Sequence, residues 1–170
     1  RSVDGISLES TDLSNGSIIN DGTILVDGLT EAEIEEDLSL YDDRATGIDL
    51  DMGAKLDRVI NNGSIQATGY GANAIIVDGA TFGYGIVNNG TIDSDGVAIR
   101  VEQFSIDPNT LDGDYELGAG AGNGFLRIEQ NAGLIRGQTA AIQGNEFTDL
   151  IWNGGAIEGK IYGLGEAKVT

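Results

Sequence analysis

The chain has 170 residues, 28 of them acidic and nine basic, for a net charge of −19, and contains neither histidine nor cysteine. Such a field repels nucleic acid and anionic membranes, which excludes a nucleic-acid partner. The missing side chains remove histidine-based and thiol catalysis, disulfides and zinc-thiolate sites together. No apolar run approaches the ~20 residues needed to cross a bilayer, so the segment itself is expected not to be membrane-embedded. It starts at Arg1 rather than Met, as a mature segment or an excised piece would.

Read from the N-terminus, two phrases alternate. The first, Gly5-Ile6-Ser7-Leu8, returns around Ile48, Ile75, Ile99 and Ile142. The second, Ile19-Asn20-Asp21-Gly22-Thr23-Ile24, returns with its Asn at 61, 88, 131 and 153. The Asn steps are 41, 27, 43 and 22, which reads as a unit of 22–27 residues carrying two insertions. Self-similarity at a fixed phase means that one structural unit is being stacked. Both phrases sit in short Ile- and Val-rich runs bounded by Asn-Gly, Asp-Gly and Gly-Gly pairs, the pattern of short strands between tight turns. The lone proline, Pro108, falls in an insertion, as it should if the strands are internal to a sheet.

The expected architecture is therefore all-β: a right-handed parallel β-helix (β-solenoid) of about five coils, each holding about three short strands, with residues 1–170 as one segment. Asn20, Asn61, Asn88, Asn131 and Asn153 would form a hydrogen-bonded amide ladder. Gly22, Gly63, Gly90, Gly133 and Gly155 would supply positive φ. Ile24, Ile65, Ile92, Ile135 and Ile157 would stack inside the coil. Glu129 breaks the phase in the fourth repeat, where a one-residue bulge or an outward turn is expected.

Two stretches do not repeat. The first, residues 29–46, carries Thr30 and Glu33 at capping-box positions, and Ile34, Leu38 and Tyr41 at helical spacing; this predicts a short acidic helix over 31–41. The second, residues 103–124, has apolar arms flanking a polar turn and predicts a hairpin near 104–117. Its Asp107, Asn109, Asp112 and Asp114 resemble a cation loop only poorly, because Leu111 stands where an oxygen ligand belongs. No catalytic, cofactor-binding or metal-binding residue is assigned. Carboxylate pairs are the one catalytic option, and Asp49 with Asp51, Asp93 with Asp95, and Asp42 or Asp43 beside Arg44 are the candidates. Close pairs arise by chance among 28 acids, so they are read as solvated faces. Phe82, Phe125 and Phe147 are read as packing residues, and Trp152 as exposed if its column faces outward.

The phrases Val87-Asn-Asn-Gly-Thr-Ile92 and Asp149-Leu-Ile-Trp-Asn-Gly-Gly-Ala-Ile-Glu-Gly-Lys-Ile161, followed by Gly163-Leu-Gly165, resemble repeats of bacterial autotransporter passenger domains. Tyr115-Glu-Leu-Gly-Ala-Gly120 looks like another such segment. The resemblance covers most of the chain outside the first insertion. It implies a β-helix displayed on, or released from, a Gram-negative outer membrane, serving adhesion, aggregation or biofilm formation. The expected role is a non-catalytic stalk or adhesin whose partner is a cell-surface protein, a glycan or a second copy of itself. The alternatives are a polysaccharide-processing β-helix enzyme and a trimeric rod like a phage tailspike.

Overall fold

The computed structural model describes residues 3–36, 44–106 and 126–170. In chain order the first repeat gives β1 (Val3–Leu8), β2 (Asp12–Asn20) and β3 (Thr23–Asp27), followed by helix α1 (Glu31–Glu36). Next come β4 (Ala45–Leu50), β5 (Lys55–Asn61), β6 (Ser64–Thr68), β7 (Asn73–Asn88), β8 (Thr91–Ser94) and β9 (Val97–Ile106). After the second insertion lie β10 (Leu126–Gln130), β11 (Leu134–Gly137), β12 (Ala140–Gln143) and β13 (Thr148–Trp152). The described chain ends with β14 (Ala156–Glu158), β15 (Ile161–Tyr162) and β16 (Glu166–Val169).

Every strand pairing is parallel and joins one repeat to the next. Even so, the expected right-handed β-helix of about five three-stranded coils is not what forms. The strands divide into an eleven-stranded parallel sheet that curves as a half-barrel and a separate parallel sheet of five, β14-β11-β8-β6-β3. A regular coil needs each strand to stop at a turn, and β7 does not stop. It runs sixteen residues through Asp78-Gly79, pairing first with β4 and then with β5, so that two arms fuse into one sheet. Gly79 at φ 93° and Gly85 at φ 147° let the backbone bend there while its ladder continues, with register shifts around Asp78. A bend of this kind is a bulge rather than a strand end.

One hydrophobic core is shared by both sheets. Ile48, Ile75, Ile99 and Ile142 enter from the first arm, Val59, Ile86, Ile128 and Leu150 from the second, and Ile65, Ile92 and Ile135 from the small sheet. The isoleucine stack is in strict register, Ile24 against Ile65, Ile65 against Ile92, Ile92 against Ile135 and Ile135 against Ile157. β-branched side chains suit such a column because χ1 is restricted before folding, so little freedom is lost on stacking. Phe82 is fully buried, as the packing role requires, in line with Leu56 of the preceding repeat.

The amide ladder forms, but with a different membership. Asn20 donates through Nδ2 to Asn61 Oδ1 at 2.8 Å, Asn61 to Asn88 at 2.8 Å, and Asn88 to Gln130 Oε1 at 2.7 Å. Asn131 and Asn153 lie instead in a second, exposed ladder with Asp21, Asn62 and Asn89. Thr170 caps that ladder by donating its hydroxyl to Asn153 Oδ1 at 2.6 Å. The cause is one extra residue in the fourth and fifth turns: four positions separate Asn88 from Ile92, but five separate Gln130 from Ile135 and Trp152 from Ile157. Trp152 pairs in register with Gln130 and is half-buried, ending the inner ladder. The glycine expectation is corrected too. Only Gly133 and Gly155 of the five have positive φ, because only the longer turns need it.

Helix α1 begins with a reciprocal capping box. Thr30 donates from its backbone N and its hydroxyl to Glu33 Oε2, both at 2.8 Å, and Ile34 is buried beneath. Residues 37–41 of the expected helix lie outside the described residues. So do 107–117 of the expected hairpin, the four loop residues weighed for a cation, Phe125, Asp42 and Asp43. The second insertion starts later than expected, since β9 keeps its ladder to Ile106.

Candidate functional site

The carboxylate candidates separate into two kinds. Asp93 receives a forked hydrogen bond from Arg136, whose Nε reaches Oδ1 at 2.8 Å and whose Nη2 reaches Oδ2. Asp95 accepts from Gly69 N at 2.9 Å and from Gln138 Nε2 at 2.6 Å, so both its oxygens tie neighbouring turns together. Each aspartate of this pair is engaged in structure. Asp49 and Asp51 are different: they stand on and just beyond β4 among Asp4, Asp78 and Glu9, an acidic face on the first arm.

Half-burial, and then the charges of Asp51, Asp4 and Asp78, push the Asp49 carboxyl up to about 6. Asp51 and Asp78 are raised as well, burial again leading. A raised carboxyl pKa means that the folded state keeps a proton the unfolded chain has released. The stabilisation is complete below the ordinary aspartate value and is lost as pH rises through about 6. Unfolding midpoints in urea should therefore fall between pH 4.5 and 7. Asp49→Asn should flatten that window and stabilise the protein at pH 7 by about 1 kcal/mol, a figure already reduced for the screening of a half-exposed group. A variant whose pH profile matches the parent would remove Asp49 as the cause.

A second cluster occupies the outer face of the other arm. Tyr84 lies between Arg58 and Arg127, whose guanidinium carbons stand 4.5 and 4.9 Å from the ring centroid. Its hydroxyl accepts from Arg127 Nη1 at 2.9 Å and donates to Glu129. Burial and the Glu129 bond hold the phenol above its ordinary pKa. This explains why Glu129 tolerates a strand position that is apolar in other repeats: Arg127 neutralises it from 3.5 Å. The cluster pins β7 to β10 and is internally satisfied.

A cleft of about 610 Å³ opens where the turns leaving the small sheet meet the outer face of the first arm. Its walls come from Gly69-Tyr70-Gly71, Asp95-Gly96-Val97 and Gln138-Thr139, which are equivalent turns of three successive repeats. Arg100 and Gln143 reach it from adjacent strands, in register with each other, and Arg44 and Asn73 close its side. The turns are held by backbone bonds from one repeat to the next, Asp95 N to Ala67 O at 3.1 Å and Gln138 N to Ser94 O at 3.1 Å. Ser94 locks the corner, donating to Ala72 O at 2.8 Å and accepting from Gly96 N at 3.1 Å. The cleft thus has rigid walls, amide and hydroxyl groups that both donate and accept, one aromatic ring and two guanidinium groups. Neither Asp49 nor Asp51 lines it.

Of the catalytic candidates weighed in the sequence, Arg44 and Asp95 reach this cleft, while Asp49, Asp51 and Asp93 do not; the capping-box Thr30 lines it too. Tyr70, Arg100, Gln138 and Gln143 were not singled out. The available signal was positional: Arg100 and Gln143 both follow the recurring Ala-Ile pair, and Tyr70 sits between two turn glycines. Among the described residues, no helix is long and apolar enough to cross a membrane. No protein-family model, curated protein or solved structure matches the chain.

Proposed function

We propose that this chain is a non-catalytic adhesive module of an autotransporter-like protein, displayed at or released from a bacterial outer membrane. In this reading the stacked repeats act as a stiff support and the Tyr70–Arg100 cleft makes the attachment. The observation that carries the reading is the construction of that cleft. Its walls are three successive turns braced by one another, with Arg100 and Gln143 set in register on adjacent strands, an arrangement that holds a binding geometry on regular elements. Partners are then a surface glycan or protein, and the strongly acidic remainder of the chain keeps non-specific contacts few.

Beads coated with the protein test this against bacterial and epithelial surfaces. Adhesion reduced at least fivefold by Tyr70→Ala together with Arg100→Gln supports the reading, and adhesion indifferent to both changes removes it. A polysaccharide-processing role is favoured by one observation, the Asp49 carboxyl poised near neutrality. Turnover of a glycan that disappears in Asp49→Asn would establish that role instead. A sizing-column mass of three chains would turn the reading toward a tailspike-like rod.

A further inference from the structure

We propose that the cleft between Arg44, Tyr70 and Arg100 takes an acidic saccharide, with the guanidinium pair meeting a sugar carboxylate and Tyr70 lying against the ring. This rests on the adhesive reading above and gives its ligand a chemical class. The charge distribution is the first argument. The chain has only nine basic residues against 28 acids, yet two arginines converge on this one cleft. Of the two acids on its walls, Asp95 already has both oxygens filled by Gly69 N and Gln138 Nε2, and Glu31 stands exposed in the first turn of α1.

Arg100 supplies the second argument. Glu102 engages it through Nη2, while its Nε is buried and has no hydrogen-bond partner, the one buried cationic donor in that condition among the described residues. A guanidinium without its full set of acceptors is costly to leave so, and a carboxylate is the acceptor that fits its planar fork. Because Nε holds no bond, turning the group toward a ligand sacrifices the Glu102 pair and the weaker attraction of Asp78, and no hydrogen bond from Nε. Arg44 and Tyr70 each keep an interaction within the chain, which places them before a ligand arrives.

The remaining lining selects sugar over other anions. Thr139, Gln138 and Gln143 line it with groups that donate and accept, matching hydroxyls that do both, even though Gln138 Nε2 is bonded to Asp95 and Gln143 Oε1 accepts from Tyr162; Asn73 is buried and braces the wall through Gly71 O. Tyr70 is about a third exposed, at 36 %, enough to offer its face to the apolar side of a pyranose ring. The volume falls in the range of about 300–1,000 Å³ usual for small-ligand sites.

The test is calorimetric titration of the whole chain with tetragalacturonate, with its carboxyl-reduced counterpart and with monomeric galacturonate. The expected result is saturable binding of the acidic tetramer, at least tenfold weaker binding of the reduced one, and at least tenfold loss in Arg100→Gln but not in the exposed control Lys160→Gln. Monomer binding as tight as the tetramer still supports a sugar-acid site and makes the free acid its source. Equal binding of the acidic and reduced tetramers overturns the proposal without relying on any variant's folding. So does the absence of binding to every acidic sugar. The adhesive reading is judged separately by the coated beads: adhesion that neutral glycans alone compete away leaves it standing while this proposal falls.

Discussion

Replacing Asn61 by Leu should cost about 2–4 kcal/mol of stability, whereas Asn62→Ala, one residue further along, should cost less than about 1 kcal/mol. The two side chains belong to parallel amide ladders that differ in burial. Asn61 is fully buried; its Oδ1 accepts from Asn20, and its Nδ2 donates to Asn88 Oδ1 and to Thr91 O at 2.9 Å. Leucine has a similar volume, so the packing loss is small and the measurement reads the polar groups. The change strips an acceptor from Asn20 and donors from Asn88 and Thr91 in a place water does not reach, and an orphaned buried group costs about 1–3 kcal/mol. Asn62 donates to Asp21 and accepts from Asn89 in an exposed ladder, where water takes over either bond. Urea unfolding of both variants checks the contrast. Equal losses would mean that the inner ladder is no more than a solvated seam.

The ladders also show how much of this molecule was legible beforehand. The isoleucine column was legible because the spacing from turn glycine to isoleucine is constant, and the interior admits no slip. The amide column was legible for three repeats and then failed. The eye aligns Asn131 and Asn153 on the Gly-x-Ile that follows, while the protein inserts Ala132 and Gly154 ahead of that glycine and brings Gln130 inward. Glutamine keeps the amide one methylene further out, so the ladder survives a change of residue type that a motif search rejects. The sheet arrangement was less legible. Asp78-Gly79 reads as a strand-ending turn, yet its neighbours keep pairing, and whether a glycine ends or bends a strand depends on the adjacent repeats. The cleft was the least legible part, because Tyr70, Arg100 and Gln138 lie far apart in sequence and meet only once the register is known.

The same stacked turns carry the second large effect, in which one substitution should have opposite signs at equivalent positions. Gly90→Ala is expected to destabilise by about 3 kcal/mol or more, since overpacking a well-packed site costs typically 1–3 kcal/mol and here the obstacle is backbone. A Cβ on Gly90 would overlap the carbonyl oxygen of Gly63 and stand 2.9 Å from the carbonyl carbon of Asn62. Neither atom can withdraw, because Gly63 O accepts the bond from Thr91 N at 2.8 Å that joins the two repeats. Gly22→Ala meets nothing within 4 Å, and Gly22 has no positive φ to forbid a side chain. Alanine there only reduces the freedom of the unfolded chain, so it should stabilise by about 0.4–1 kcal/mol. At Gly63 and Gly90 the glycine is thus kept for closeness of approach and not for backbone freedom, and the demand begins only where one turn lies upon another. Thermal unfolding of the two variants decides it. A stabilised or neutral Gly90→Ala would mean that these turns can part by the width of a methyl group, and that the contact of Gly90 with Gly63 O does not fix the spacing of the repeats.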